Sequence, residues 1–99
     1  MQYEGVISCI KTNLEIFDAI GYAGIGRSGL ARVLASFESG DNERAIVEYR
    51  LVIGHAPNFA SALTDFDLMS YPVDMRMKLF NGLLGVMSQM SLVMDGKAR

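Results

Sequence analysis

The residue types that could support catalysis are few and far apart in this sequence. His55 is the only histidine, Cys9 is the only cysteine, and Asp65 and Asp67 lie two positions apart. Residues two apart on a helix point in different directions, so these aspartates are not expected to form the carboxylate pair of general acid–base chemistry. The sequence pattern offers no nucleophile beside a base and no set of metal ligands. We therefore expect a protein that is not an enzyme and needs neither a metal nor another cofactor.

One glycine pattern imitates a nucleotide-binding motif. Gly24, Gly26 and Gly29 fit G-x-G-x-x-G, which in dinucleotide-binding folds follows a strand and opens a helix. The segment before these glycines has helical spacing, and no strand–helix–strand pattern surrounds it. We interpret the three glycines as a tight turn, Cys9 as a small core residue, and His55 as a structural residue at a helix end.

Composition and charge exclude several classes of function. The chain has 99 residues, a net charge of −2, 51% hydrophobic residues and 20% charged residues. Nucleic-acid binding usually leaves a basic footprint, which is absent, and no apolar run reaches the ~18 residues of a membrane span. The N-terminus lacks the basic region of a signal peptide, and a lone cysteine fits a reducing cytoplasm. We expect a cytoplasmic protein whose excess apolar surface faces a partner protein.

Hydrophobic spacing predicts an all-α chain of five or six short helices in one domain. Apolar residues recur at intervals of three and four, and clusters of glycine or proline separate the periodic segments. The domain is expected to cover residues 1–95, with residues 96–99 as a frayed tail. The predicted helices are Tyr3–Ile20, Ser28–Ser39, Asn42–Gly54, Asn58–Met69, Val73–Leu84 and, as a sixth, Val86–Met94.

Local signals predict how the central helices begin and end. Ser28 is a candidate cap for the second helix, and Gly40 is expected to stop it. Asp41 or the following residue is expected to cap the third helix. Arg44 and Glu48 lie four apart and mark its predicted polar side. The rest of that helix is apolar, which predicts burial on more than one side.

The segment at residues 40–63 resembles a tetratricopeptide repeat (TPR), a helical hairpin in which small residues let two helices approach closely. The positions that match the G-D…A…Y…P pattern are Gly40, Asp41, Ala45, Tyr49 and Pro57. The resemblance implies a short TPR-like helical-hairpin solenoid with a concave apolar groove, an architecture that makes binding surfaces.

In a second register, the chain is similar to the TPR-type chaperones of type III secretion needle subunits, from about Leu14 to Gly85. The similarity depends on a helix stopped by Gly40, an Ala-Ser-Ala-Leu block at 60–63, and Tyr71-Pro72 before a further helix. It implies a cytoplasmic virulence chaperone that holds an amphipathic helix of a needle-type subunit and prevents premature polymerisation. It also implies a second small helical co-chaperone as a further partner.

Six side chains on the third and fifth predicted helices are the predicted groove contacts. They are Ile46, Tyr49, Ile53, Met75, Leu79 and Leu83. Six of the seven methionines follow residue 68, and thioethers suit both ordinary core filling and an adaptable binding groove, so both interpretations stay open. Two alternatives to the chaperone also stay open: a general helical-repeat adaptor and a small helical homodimeric regulator.

Overall fold

The computed structural model describes residues 3–54 and 72–96, apart from the side chains of residues 25 and 52–54. Within these ranges the chain is helical and contains no strand, which confirms the all-α class for the described part. The predicted helix Asn58–Met69 lies outside it, and the described helices do not confirm a count of five or six. The helices are α1 (Glu4–Ile20), α2 (Ile25–Glu38), α3 (Asn42–Gly54) and α4 (Val73–Met94).

Helix α1 lies between two neighbours. It packs on α2 on one side and on α4 on the other, while α3 packs on α2. The last described helix therefore returns to the first one. Repeats in an open solenoid contact only their neighbours along the chain, so the described helices do not confirm the predicted solenoid. The largest fully buried side chains are Phe17, Ile10, Leu30, Leu79, Met90, Val6, Val33, Val86 and Asn13.

The turn from α1 to α2 corrects the interpretation of the glycine motif. Gly21 ends α1 with φ +77°, a conformation that glycine adopts without steric cost. Helix α2 begins at Ile25, not at Ser28, so Gly26 and Gly29 lie inside the helix and only Gly24 belongs to the turn. The buried Tyr22 stabilises the first turn of α2, because its hydroxyl oxygen accepts a hydrogen bond of 3.1 Å from the Gly26 N–H.

The turn from α2 to α3 confirms the predicted stop and cap. Gly40 has φ +83°, and the Asp41 N–H donates to the Ser36 carbonyl at 3.0 Å, which satisfies a free carbonyl at the end of α2. The Asp41 carboxylate then accepts a hydrogen bond of 3.0 Å from the Arg44 N–H and caps α3. This three-residue connection makes α2 and α3 a tight hairpin.

Helix α3 differs from its prediction on both faces. Glu48, predicted on the polar side, is only 6% exposed, whereas Val47 and Leu51 are 51% and 52% exposed. The burial of Glu48 is compensated by two arginines that donate to its carboxylate. Among the described residues α3 packs chiefly on α2, so the predicted burial of α3 on several sides was wrong for Val47 and Leu51.

Helix α4 is one continuous helix, and the predicted break between Leu84 and Val86 was wrong. Glycine weakens a helix because it raises the entropic cost of folding, which led to the expectation of a break. Here Gly82 lets α4 approach α1 closely, whereas the neighbourhood of Gly85 is less crowded. A Cβ atom added at Gly82 would lie 2.6 Å from Asn13 Oδ1, whereas one at Gly85 would lie 3.9 Å from Cys9 Sγ. Tertiary packing against α1 therefore offsets their low helix propensity.

Candidate protein-binding surface

The structure places most of the predicted groove residues in the core. Tyr49, Leu79 and Leu83 are 2%, 0% and 3% exposed. Ile46 and Met75 are half-buried and pack against the same core. The side chain of Ile53 lies outside the described part. Helix α3 packs chiefly on α2 and α4 chiefly on α1, so the α3 residues and the α4 residues lie mainly in different interfaces. A role in partner binding stays a prediction for all six.

The burial of Tyr49 has a measurable consequence. Desolvation raises the pKa of its phenol from 10.0 to about 12. In the unfolded chain the phenol ionises near its ordinary pKa, so between pH 10 and 12 the unfolded state loses the proton first. Below pH 10 the ionisation of Tyr49 does not reduce the free energy of unfolding. As the pH rises from 10 toward 12, this free energy should fall by roughly 2 kcal/mol.

The Tyr49→Phe variant, which cannot ionise, tests this pH dependence. Urea unfolding at several pH values between 9 and 11.5 should show a steeper loss of stability in the parent chain than in the variant. Parallel pH profiles for the two chains would contradict the assigned desolvation.

Helix α4 carries a second apolar row that faces away from the core. Val73, Met77, Phe80 and Leu84 are 56%, 58%, 39% and 61% exposed, and they recur at intervals of four, three and four residues. We call these four residues the outer stripe. The core row of the same helix is Leu79, Leu83, Val86, Met90 and Val93. At 3.6 residues per turn, the two rows lie roughly a third of a turn apart.

The spacing of apolar residues in the sequence already indicated a second apolar row on α4. Along the chain, residues of the outer stripe are interspersed with residues of the core row. The apolar positions of α4 therefore cover a broad arc of the helix circumference. A helix apolar over such an arc is either buried on several sides or faces a partner. The sequence alone cannot assign the rows to core and surface, and the prediction placed Leu79 and Leu83 at the surface and left the stripe out.

One edge of the outer stripe is a row of polar residues with no cation among them; the exposed Lys78 lies one turn after Asp74, on the side of that row away from the stripe. The residues of the row recur every seven positions, so they share one side of the helix, and all are exposed. We call this row the polar edge. It consists of Asp74, Asn81, Ser88 and Asp95.

A shallow cavity of about 250 Å³ lies between α1 and the first turns of α4. Its wall is mostly apolar, with a carboxylate and an ammonium group at the sides. Met75 is the one predicted groove residue in this wall. The lining residues are Thr12, Glu15, Ile16, Ala19, Ile20, Met75 and Lys78.

The main polar cluster of the α2–α3 hairpin surrounds Glu48. Arg44 Nε donates to one carboxylate oxygen at 3.0 Å, and Arg32 Nε donates to the other at 3.2 Å. The Arg44 hydrogen bond is the main cause that lowers the pKa of Glu48; burial opposes it, and Arg32 adds to it. The cluster ties α2 to α3, as the two hydrogen bonds from Arg27 to Asp18, at 2.8 and 3.2 Å, tie α2 to α1.

Over the ranges 3–54 and 72–96, no group of three or more metal-ligating side chains comes together. None of the helices in that part of the chain is long and apolar enough to cross a membrane. Comparison with known proteins gives no match, whether with protein families, with curated proteins or with solved structures. The outer stripe, with its four exposed apolar side chains, is the candidate binding site.

Proposed function

We propose that this chain is a non-enzymatic binding protein that covers an amphipathic helix of a partner protein. The observation that carries the proposal is the outer stripe, because four neighbouring apolar side chains on one helix face are exposed together. Exposed apolar rows of this kind mark protein interaction sites, and helix-in-groove recognition uses the same three-and-four spacing. Covering the stripe would remove its apolar area from water, a gain of about 25 cal/mol per Å² that the lost freedom of the two partners offsets in part.

The resemblance to TPR-type chaperones suggests the identity of the partner. A needle-type subunit of type III secretion assembles through an apolar helix, and a protein that covers this helix keeps the subunit from polymerising. The all-α fold and the exposed apolar row of α4 support this proposal. A stable complex would bury about 1,000 Å² or more in total.

Co-expression with a needle-type subunit tests the proposal. The tagged chain is expected to co-purify with the subunit in a stoichiometric complex and to keep it from sedimenting as polymer. The double variant Met77→Ser/Leu84→Ser should lose at least tenfold in affinity, because two exposed apolar contacts are removed. Neither substitution touches the buried core row, so the variant should unfold at the same urea concentration as the parent.

Leu51→Ser is the matched control. Leu51 is also half-exposed, but it lies on α3, away from the stripe. Its replacement should leave capture of the subunit unchanged. Loss of capture in this control with retention in the stripe variant would move the site to α3, and no capture by the parent chain would refute the proposed partner.

A further inference from the structure

The polar edge of the outer stripe indicates what kind of helix fits it. We infer that the partner helix carries lysine or arginine along one flank of its apolar face. This inference rests on the function proposed above and specifies the chemistry of the partner at the same site.

The spacing of the stripe indicates that the occupant is a helix. The residues of the stripe continue at heptad intervals through the half-buried Met87 to Met94, which is 38% exposed. A row with this period matches a second helix that packs at a shallow angle, as in a coiled coil. From Val73 to Met94 the row extends about 30 Å, the length of a helix of about 20 residues.

The charges beside the stripe restrict that helix further. Asp74 and Asp95 stand at the two ends of the polar edge, with Asn81 and Ser88 between them. Positions that flank an apolar seam face the flanking positions of the partner helix and select its charges. A basic flank would meet two carboxylates, whereas an acidic flank would be repelled by both.

A second copy of this chain fits the same surface poorly. Placed antiparallel along the whole stripe, its α4 would bring Asp95 toward Asp74 at both ends, which sets like charges together. Placed parallel, the flank of its α4 that faces the polar edge would carry one cation, the half-buried Arg76, which already has an interaction within its own chain. The charge pattern therefore favours a different protein as the occupant.

Two synthetic peptides of about three heptads provide the test. Both carry leucine at the seam positions, and one has lysine while the other has glutamate at the flanking positions. Fluorescence anisotropy at about 50 mM salt should show that the lysine peptide binds the parent chain ~5–10-fold more tightly. The preference should shrink at about 500 mM salt, because the Debye length falls from more than 10 Å to about 4 Å.

Charge-removing variants locate the origin of that preference. Asp74→Asn/Asp95→Asn should reduce it to less than about twofold. The control Glu38→Gln/Glu43→Gln removes the same charge at exposed positions near the α2–α3 turn and should preserve it. Equal affinities for the two peptides, no binding of either, or an undiminished preference in the aspartate variant would overturn the inference. A dimer of the parent chain that Met77→Ser/Leu84→Ser dissociates would also overturn it.

The results of the peptide test can be distinguished from the results of the co-purification test of the proposed function. Capture of the needle-type subunit without a lysine preference would refute the basic flank and leave the helix-covering function standing. A lysine preference without capture of the subunit would refute the needle-type partner. The inference that the surface binds a helix with a basic flank would remain.

Discussion

Replacing Leu79 with alanine is expected to lower the free energy of unfolding by roughly 2–5 kcal/mol. Leu79 is fully buried in the α1–α4 interface, so alanine would remove apolar contacts and leave a cavity that the packed helices fill only in part. For a domain of this size the loss is a large fraction of the total stability. Urea unfolding followed by circular dichroism measures it directly.

Leu84→Ala is the matched control on the same helix. Leu84 is 61% exposed in the outer stripe, so the same substitution should change stability by less than about 0.5 kcal/mol. The two variants should separate folding from binding: Leu79→Ala weakens the fold, and Leu84→Ala weakens capture of the helix. Equal stability of the two variants would contradict the assignment of Leu79 to the core.

Replacing Gly82 and Gly85 with alanine, one at a time, is expected to produce opposite effects. Both substitutions gain helix propensity, worth about 1 kcal/mol each. At Gly82 the new Cβ would meet Asn13 Oδ1 at 2.6 Å and Ile16 Cδ1 at 3.3 Å, whereas at Gly85 it would make an ordinary contact with Cys9 Sγ at 3.9 Å. The Gly82→Ala variant should therefore be less stable than Gly85→Ala by roughly 1–3 kcal/mol, the usual cost of overpacking.

Asn13 determines how the clash at Gly82 is resolved. Its side chain is fully buried, so little space is left for it to swing aside. Neither of its amide atoms has a hydrogen-bond partner among the described residues, so replacing it would break no hydrogen bond there. Asn13→Ala should remove most of the penalty in the Gly82→Ala background, and a double-mutant cycle measures the coupling. Additive effects would show that the two residues do not touch, and the assigned α1–α4 contact would then be wrong.

Several local features were predictable because they depend on residues close in the chain. The stop at Gly40 follows from the freedom of glycine at positive φ, and the cap at Asp41 follows from a short carboxylate side chain beside free N–H groups. The bounds of Asn42–Gly54 were predicted as observed. The chemistry of Glu48 was not predictable, because its burial depends on Arg32 of the neighbouring helix as well as on Arg44 of its own.

The candidate surface shows where prediction from sequence ends. Spacing showed that α4 has many apolar positions, but two interleaved rows share the helical period, and periodicity alone does not say which row faces the core. That choice depends on which side of α4 meets α1, and Gly82 lies close to α1 on that side.

The sequence by itself determined the all-α class, the α2–α3 turn and the apolar richness of the last helix, since each follows from local backbone preferences or from composition. The tertiary structure alone decided that α4 continues through its glycines, that Tyr49, Leu79 and Leu83 are buried, and that the outer stripe is exposed. The physical reason is that burial is a property of pairs of helices. A residue's type limits whether it can be buried, but its neighbours in space determine whether it is.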